Sequence, residues 1–354
     1  MSENVRLQRM RDGRENYIYQ HRRRIIRPRD LFLYGALTGF FLCLPLLLPP
    51  FSLLLLCYAL VFAIACLGLN LLLGHTGLLS LGHAAYFGVG AYAGGFLYTF
   101  TPMHALEGYL AAGIVAAVAL AALFGLLCVQ ASRIHFTILT LAFAQMLHAL
   151  FISGAVFKPA GAVGKGLFLL GGGGLYIPRL TILGQEFPPL VFIKVLYYVI
   201  LLALMLSCLL LWRLMHSPFG KALQAIRESD TRAAFIGIRV RRYRWYAFVI
   251  SAGFTGLAGG LFGQIGRQIT PEQLHWVLSA QLVLATVLGG MGQFWGPVVG
   301  AFVFVALDEL ATRWGLYRGF VLGGLLIAVV FVFPRGIAGS IVACFALRRR
   351  PDTA

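Results

Sequence analysis

Apolar runs long enough to cross a bilayer, about 20 residues each, follow one another along most of the chain with only short polar breaks between them. Ten such runs fall at roughly 31–48, 52–73, 76–98, 106–130, 135–153, 190–212, 245–264, 275–291, 297–313 and 319–334. They are too long and too continuous for barrel strands, which alternate apolar and polar positions, so the pattern predicts helices. Inside lipid a helix satisfies its own backbone hydrogen bonds, and ten of them predict an all-α polytopic membrane helical bundle of about ten spans.

The breaks differ in character. Pro49-Pro50 makes a sharp turn into the second span. From Gly68 to Gly95 the chain is dense in glycine. Gly90 with Gly94, and Ala91 with Gly95, are small residues four apart that let helix backbones approach closely. Gly74, Gly77 and Gly82 alternate with Thr76, Ser80 and His83, which predicts a helix broken or thinned at membrane depth. Irregular backbone there needs protein or a water-filled cavity around it. A second glycine-rich stretch, Thr286 to Ala301, repeats Gly292, Gly296 and Gly300 at four. Paired glycine-interrupted segments point either to a solute site at their interface or to two tight helix crossings. The fifth run places Thr137, Gln145 and His148 near one helical face with Thr140 beside them, as interhelical hydrogen bonds worth about 0.6 kcal/mol each or as the lining of a polar path.

One polar stretch stands apart, Ser217 to Gly237. It predicts a short helix in which Ser217 caps the first turn, Pro218 occupies its first position and Gly237 supplies the left-handed stop. Leu223, Ile226, Ala233 and Ala234 form a narrow apolar stripe, with Lys221, Gln224, Arg227, Glu228, Thr231 and Arg232 around the rest. Such a helix is either a solvated connector or a handle that another protein grips.

Composition agrees with the pattern. Of 354 residues 60% are hydrophobic and 12% charged, and the mean hydropathy is +0.84, which excludes a soluble domain. The formal net charge of +17 would suggest nucleic acid in a soluble protein. Here its placement assigns it to topology instead. Nine arginines lie between Arg6 and Arg29, eight Lys/Arg between Arg213 and Arg244, and Arg348 to Arg350 close the chain. Six spans separate the first cluster from the second and four the second from the third, so all three face one side, as does Arg133. An excess of Lys/Arg marks the cytoplasmic side, so both termini are expected there. The connector at 154–189, with Lys158, Lys165 and Arg179, then lies outside. The expected organisation is a basic cytoplasmic arm at 1–30, a transmembrane domain at 31–342 containing the outer loop 154–189 and a cytoplasmic loop 213–244, and a basic tail at 343–354. Some thirty polar residues precede the first apolar run, so that run is expected to stay as an anchor.

Chemistry-bearing motifs are few. The six cysteines form no C-x-x-C pair and have no histidine at ligand spacing, which predicts packing residues and no metal site. No G-x-x-x-x-G-K-[ST] loop, G-x-S-x-G or H-E-x-x-H occurs, so no catalytic set and no ATP cradle are expected in the chain. Asp308-Glu309 is the one acidic pair inside an apolar run; with Arg313 four residues beyond Glu309 and Arg318 opening the next span, an interfacial ion pair is expected in preference to a proton relay. A transporter subunit or a channel remains.

Several segments together resemble the permease subunit of branched-chain amino acid ABC importers, the second of the two permease types. They are Leu67 to Asn70, Gly74 to Tyr92, Leu139 to Phe143, Ser217 to Glu228 with Ala233 and Ile236-Gly237, Gly289 to Gly292, Gly296 to Ala301 and Phe333 to Gly339. The resemblance implies half of a translocation path, paired with a second related permease in a heterodimer within the bacterial inner membrane. It also implies two cytoplasmic ATPase subunits that bind the ATP, an extracytoplasmic substrate-binding protein and contact with membrane lipid. By the same resemblance 217–237 is the coupling helix, with Gly220, Ala225, Arg227, Glu228, Ala233 and Gly237 on matching positions. Candidate path residues are Asn70, Thr76, Ser80, Gly82, His83, Gly88, Thr137, Thr140, Gln145, Gly290 and Gly292. Relatives of the family handle urea, short amides or other amino acids on a similar scaffold. Family members often carry Gly-Gly-x-x-Gly-Leu outside the fifth span, where this chain has Gly161 to Leu167 without that pattern. A self-sufficient channel or ion-coupled carrier is the alternative of another class.

Overall fold

The computed structural model describes residues 41–45, 47–101, 105–131, 133–153, 174–182, 184–333 and 336–340. The expected arm at 1–30, most of the first span, the greater part of the 154–189 loop and the tail at 343–354 lie outside them. The chain divides into two units, 1–49 and 50–354; in the first, the described residues include a helical stretch at 41–45.

The second unit contains eleven α-helices of six residues or more among the described residues. They are α1 Pro50–Asn70, α2 His83–Phe100, α3 Leu106–Cys128, α4 Arg133–Ile152, α5 Pro189–His216, α6 Pro218–Glu228, α7 Asp230–Phe235, α8 Val240–Gly266, α9 Trp276–Gly289, α10 Gly296–Thr312 and α11 Arg318–Val332. Nine of them match the predicted runs from the second to the tenth, with ends differing by up to seven residues, the largest shift being the start of α2 at His83 instead of 76. Among the described residues six helical stretches are long and apolar enough to cross a membrane: Pro50–Thr76, Leu106–Cys128, Arg133–Ile152, Val191–His216, Val240–Gly266 and Gly315–Ser340. The protein is a multi-pass membrane protein with an all-α bundle. Helices α2, α9 and α10 are shorter or richer in glycine and polar residues, and they pack inside the bundle instead of standing alone in lipid.

Helix α1 is the hub. Every residue from Ala59 to Leu72 is buried, the mark of a helix apolar on all sides and surrounded by others. Helices α2, α3 and α8 close against one another through small residues. A Cβ on Gly113 would stand 2.5 Å from the Gly90 carbonyl oxygen, and one on Gly259 would overlap the Phe87 carbonyl. Backbone cannot retreat as a flexible side chain can, so these positions admit only glycine. The four-residue spacing serves backbone approach at Gly90, which meets the Gly256 backbone, whereas Gly94 packs on the Tyr109 ring and Gly95 on the Leu175 side chain of a strand. Gly259→Ala is therefore expected to destabilise the bundle by about 1–3 kcal/mol, read as a lower unfolding temperature in detergent, whereas Gly253→Ala, which meets only a Val118 methyl at 3.2 Å, changes it little.

A two-stranded antiparallel pair, β1 Leu175–Tyr176 with β2 Gln268–Ile269, joins the described end of the connector between α4 and α5 to the end of α8, in the register Leu175 to Ile269 and Tyr176 to Gln268. Since α8 has 27 residues, this pair lies about 40 Å along its axis from α6 and α7.

Asp308 and Glu309 part company. Asp308 receives a forked ion pair from Arg318, at 2.9 and 2.8 Å from Nη2, whereas Glu309 and Arg313 form no pair among the described ion pairs. An ion pair does form at this acidic pair, but it joins α10 to α11 instead of closing within α10.

Candidate functional site

The glycine-dense segment after α1 is broken as its composition predicts. Helix α1 loosens into a π-helical turn, Leu71–Thr76, which ends at Gly77 with φ +70°, a left-handed conformation suited to glycine. Residues 77–82 are non-helical, and α2 begins at His83.

Polar side chains from three other helices hold this interruption. From α4, Thr137 donates to the Leu79 carbonyl at 2.8 Å, and Thr140 accepts from the Leu81 amide at 3.3 Å. From α9, Ser279 accepts from the Ala84 amide at 2.7 Å. From α8, Ser251 meets His83 Nε2 at 2.7 Å and donates to the Gly68 carbonyl at 2.6 Å. Because the single Ser251 proton is committed to Gly68, Nε2 must be the protonated nitrogen of His83, and Nδ1 accepts from Ser80 at 2.9 Å. His83, Ser80, Ser251 and Ser279 are all fully buried.

This geometry separates the candidate path residues. Ser80, His83, Thr137 and Thr140 spend their polar atoms on the interruption, and Thr76 donates to the Leu72 carbonyl. Gly82 sits where a Cβ would stand 2.6 Å from the Thr140 carbonyl, and Gly88 packs on Leu274. Those two glycines serve close approach. Asn70 is different: it is fully buried at the start of the π-helical turn, and neither atom of its amide has a hydrogen-bond partner. Gln145 is half-buried on α4, and His148, one turn further, meets the His275 ring at 4.7 Å.

The two glycine-rich segments do come together. A Cβ on Gly74 would stand 2.7 Å from the Met291 carbonyl, and Gly336 abuts Gly290. Gly289, Gly296 and Gly300 are consumed by the tight α9 and α10 hairpin, so this half follows the helix-crossing alternative. Gly290 is buried with φ +109°, and Gly292 is exposed.

The stretch 217–237 lies at the same end. It forms two helices in place of the single one expected. Ser229 breaks the run and accepts from the Arg232 amide, capping α7. Ser217 does not cap α6; its hydroxyl donates back to the Leu214 carbonyl at 2.6 Å. Gly237, at φ +86°, closes α7 with paired bonds, its own amide to the Ala234 carbonyl and that of Ile238 to the Ala233 carbonyl. Leu223, Ile226 and Ala233 are buried as expected, whereas Ala234 is exposed.

The matched coupling positions divide likewise. Gly220 is buried against the Met215 carbonyl and Ala233 is buried, so both shape the element from within. Ala225 is half-buried, and Glu228 and Gly237 are exposed. Arg227 turns toward the bundle, where its Nη1 donates to the Gly74 carbonyl in the π-helical turn. Arg133, at the start of α4, donates to the Ile226 and Arg227 carbonyls at 3.2 and 3.1 Å and pairs with Asp230 at 3.3 Å. The other Asp230 oxygen takes a 2.6 Å bond from Arg244, buried in the first turns of α8. Asp230 thereby fastens the break between α6 and α7 to two spanning helices. Beyond it Phe235 and Ile236 stand 87% and 73% exposed, an apolar tip on a charged element.

Sequence reasoning missed Asp230, Arg244, Ser251, Ser279 and the tip. The one available signal was an acid, Asp230, placed among eight basic residues; single hydroxyls in apolar runs announce no partner.

The family model described as branched-chain amino acid transport system / permease component matches residues 52–330. The high-affinity branched-chain amino acid transport system permease protein LivM of Escherichia coli K12 is 29% identical over 299 residues, 78% of this chain and 67% of that protein. LivH of Salmonella typhimurium LT2, a permease protein of the same description, is 32% identical over 126 residues, 35% of this chain and 41% of that protein. The autoinducer 2 import system permease protein LsrC of Salmonella paratyphi B is 28% identical over 193 residues, 51% of this chain and 54% of that protein. No solved structure matches significantly.

Proposed function

The chain belongs to the family of permease components of branched-chain amino acid transport systems, and from that premise we propose that it forms half of an ATP-driven import path for branched-chain, hydrophobic amino acids. In this reading a second, related permease supplies the other half, two separate cytoplasmic ATPases hold the ATP, and an extracytoplasmic binding protein delivers the solute. The membrane is the bacterial inner membrane. In this reading α6, α7 and both termini lie on its cytoplasmic side, which the excess of basic residues in those segments supports.

The observation that carries this reading is the element α6–α7. A solvated connector has no reason to be fastened to the bundle by Arg133, Arg244 and Arg227 while exposing an aromatic and a branched aliphatic side chain at its tip. An element rigidly tied on one side and apolar on the other is built to be gripped and to pass on a displacement. ATP-driven closure of the gripping subunits then biases the bundle between two openings, provided the solute favours those states unequally. Replacing both Phe235 and Ile236 by aspartate is expected to remove the ATPases from the purified complex while the permease pair stays together. Unchanged ATPase content in that double variant would sink the assignment. The solute rests on the names of the relatives, among which an autoinducer 2 permease shows that related chains serve other cargo.

A further inference from the structure

Helix α9 starts inside the bundle. It has 14 residues, about 21 Å of helix, against a hydrocarbon core about 30 Å thick. The chain that enters it turns back from the end of α8 through β2 and a 3₁₀ turn, Pro271–Leu274, in which Pro271 and Leu274 are buried. Leu274 lies against Gly88, in the second turn of α2, and Ser279, in the first turn of α9, meets the Ala84 amide.

The residue that caps this helix can take up a proton. His275 stands where Ser, Thr, Asp or Asn is the common choice, and its Nδ1 accepts from the Val277 amide at 3.4 Å. That bond requires Nδ1 without a proton, so neutral His275 carries its hydrogen on Nε2. A second imidazole leans on the first: His148 of α4, with ring centroids 4.7 Å apart and planes at 66°. Both residues are half-buried. His148 lies about 22 Å along α4 from Arg133, and so well away from α6.

Little negative charge faces the pair. Glu272, exposed on the 3₁₀ turn, is the one acid that acts on His148. Helices α1 and α9 carry no charged side chain, and the one titratable imidazole of α2, His83, is committed to Ser80 and Ser251. On α10, Asp308 is held by Arg318, and neither it nor Glu309 acts on His148.

We propose that His148 and His275 form a proton-sensitive brace, which holds the start of α9 against α4 while both rings are neutral and releases it when acid protonates them. A proton on His275 Nδ1 removes the acceptor of the Val277 amide. It also places a positive charge at the positive end of the α9 dipole. A second proton, on His148, sets two like charges in ring contact. All three effects loosen the first turn of α9, and through Ser279 they reach the start of α2. The proposal does not rest on the transport reading.

The test uses the full chain in phosphatidylcholine nanodiscs. Local opening of residues 276–282 is read by hydrogen exchange and mass spectrometry, corrected for the intrinsic pH dependence of exchange. Between about pH 7.5 and about pH 5.5, a range that brackets imidazole titration, opening in the wild type is expected to rise about tenfold. His275→Asn keeps a capping side chain that does not titrate and abolishes the rise. His148→Phe keeps an aromatic edge against His275 without the second charge and reduces the rise about threefold. His216→Gln, at the opposite end, leaves it unchanged. Thermal unfolding at the higher pH shows which variants are folded, and either folded brace variant suffices. No rise in the wild type, or a rise of wild-type size in folded His275→Asn or His148→Phe, would overturn the proposal.

Discussion

Arg227→Ala cuts ATP-driven uptake at least tenfold while the ATPases remain bound: this is the expected result in vesicles carrying the assembled transporter. Arg227 is exposed, yet its guanidinium ties α6 to the Gly74 carbonyl in the π-helical turn, across 153 positions of sequence. Gly74 lies three residues before Gly77, whose left-handed backbone starts the interruption. A pull on α6 therefore reaches the interrupted segment through one charge-assisted hydrogen bond. Such a bond contributes about 1.5–3 kcal/mol, and about 1.4 kcal/mol is a factor of ten in an equilibrium. Losing it lets α6 move without the segment, so ATP hydrolysis continues and uptake fails. Arg227→Lys keeps a point charge without the planar fork and falls between the two. The measurement is uptake and ATP hydrolysis side by side; normal uptake by Arg227→Ala would show that displacement takes another route.

The second large effect is on stability. In a fully buried setting His83→Ala leaves the Ser80 hydroxyl without its acceptor, takes from Ser251 one of its two bonds, the one to Gly68 remaining, and opens a void beside the Tyr86 and Phe248 rings. Each unpaired buried group costs about 1–3 kcal/mol, and the void adds to that. At about 2–4 °C per kcal/mol for a domain of 150–250 residues, the unfolding temperature falls by on the order of 10 °C. Ser251→Ala alone has a smaller effect, and the double variant is expected to cost less than the sum, because the two side chains share one bond. Uptake per folded complex stays near normal if His83 joins helices. Lost uptake at unchanged unfolding temperature would return His83 to the path.

The spans were legible because a bilayer demands about 20 apolar residues whatever the partners are, and α1, α3 and α5 obey that demand. The interruption at Gly77 was legible for a local reason: glycine at this density marks backbone that an ordinary helix cannot hold. What the same local signals could not supply is direction. Gly220 reads as part of a handle's surface, yet it is buried, because the turn between α5 and α6 sets it against the Met215 carbonyl. Ser229 reads as one more polar residue of a continuous helix; it becomes a cap only once Asp230 is drawn between Arg133 and Arg244. His83 read as a path residue because it lies in a glycine-interrupted segment, and Ser251, 168 residues away, is the partner no spacing rule can reveal.

The most direct test of the central claim, that this chain is one half of an ATP-powered importer, is radiolabelled leucine uptake into proteoliposomes. Uptake is predicted only when the second permease, both ATPases, lumenal or external ATP on the α6 side and the binding protein are all present, and it should vanish when any one is withheld. Leucine uptake by this chain alone in ATP-free vesicles would contradict the account and make it a self-sufficient channel or carrier.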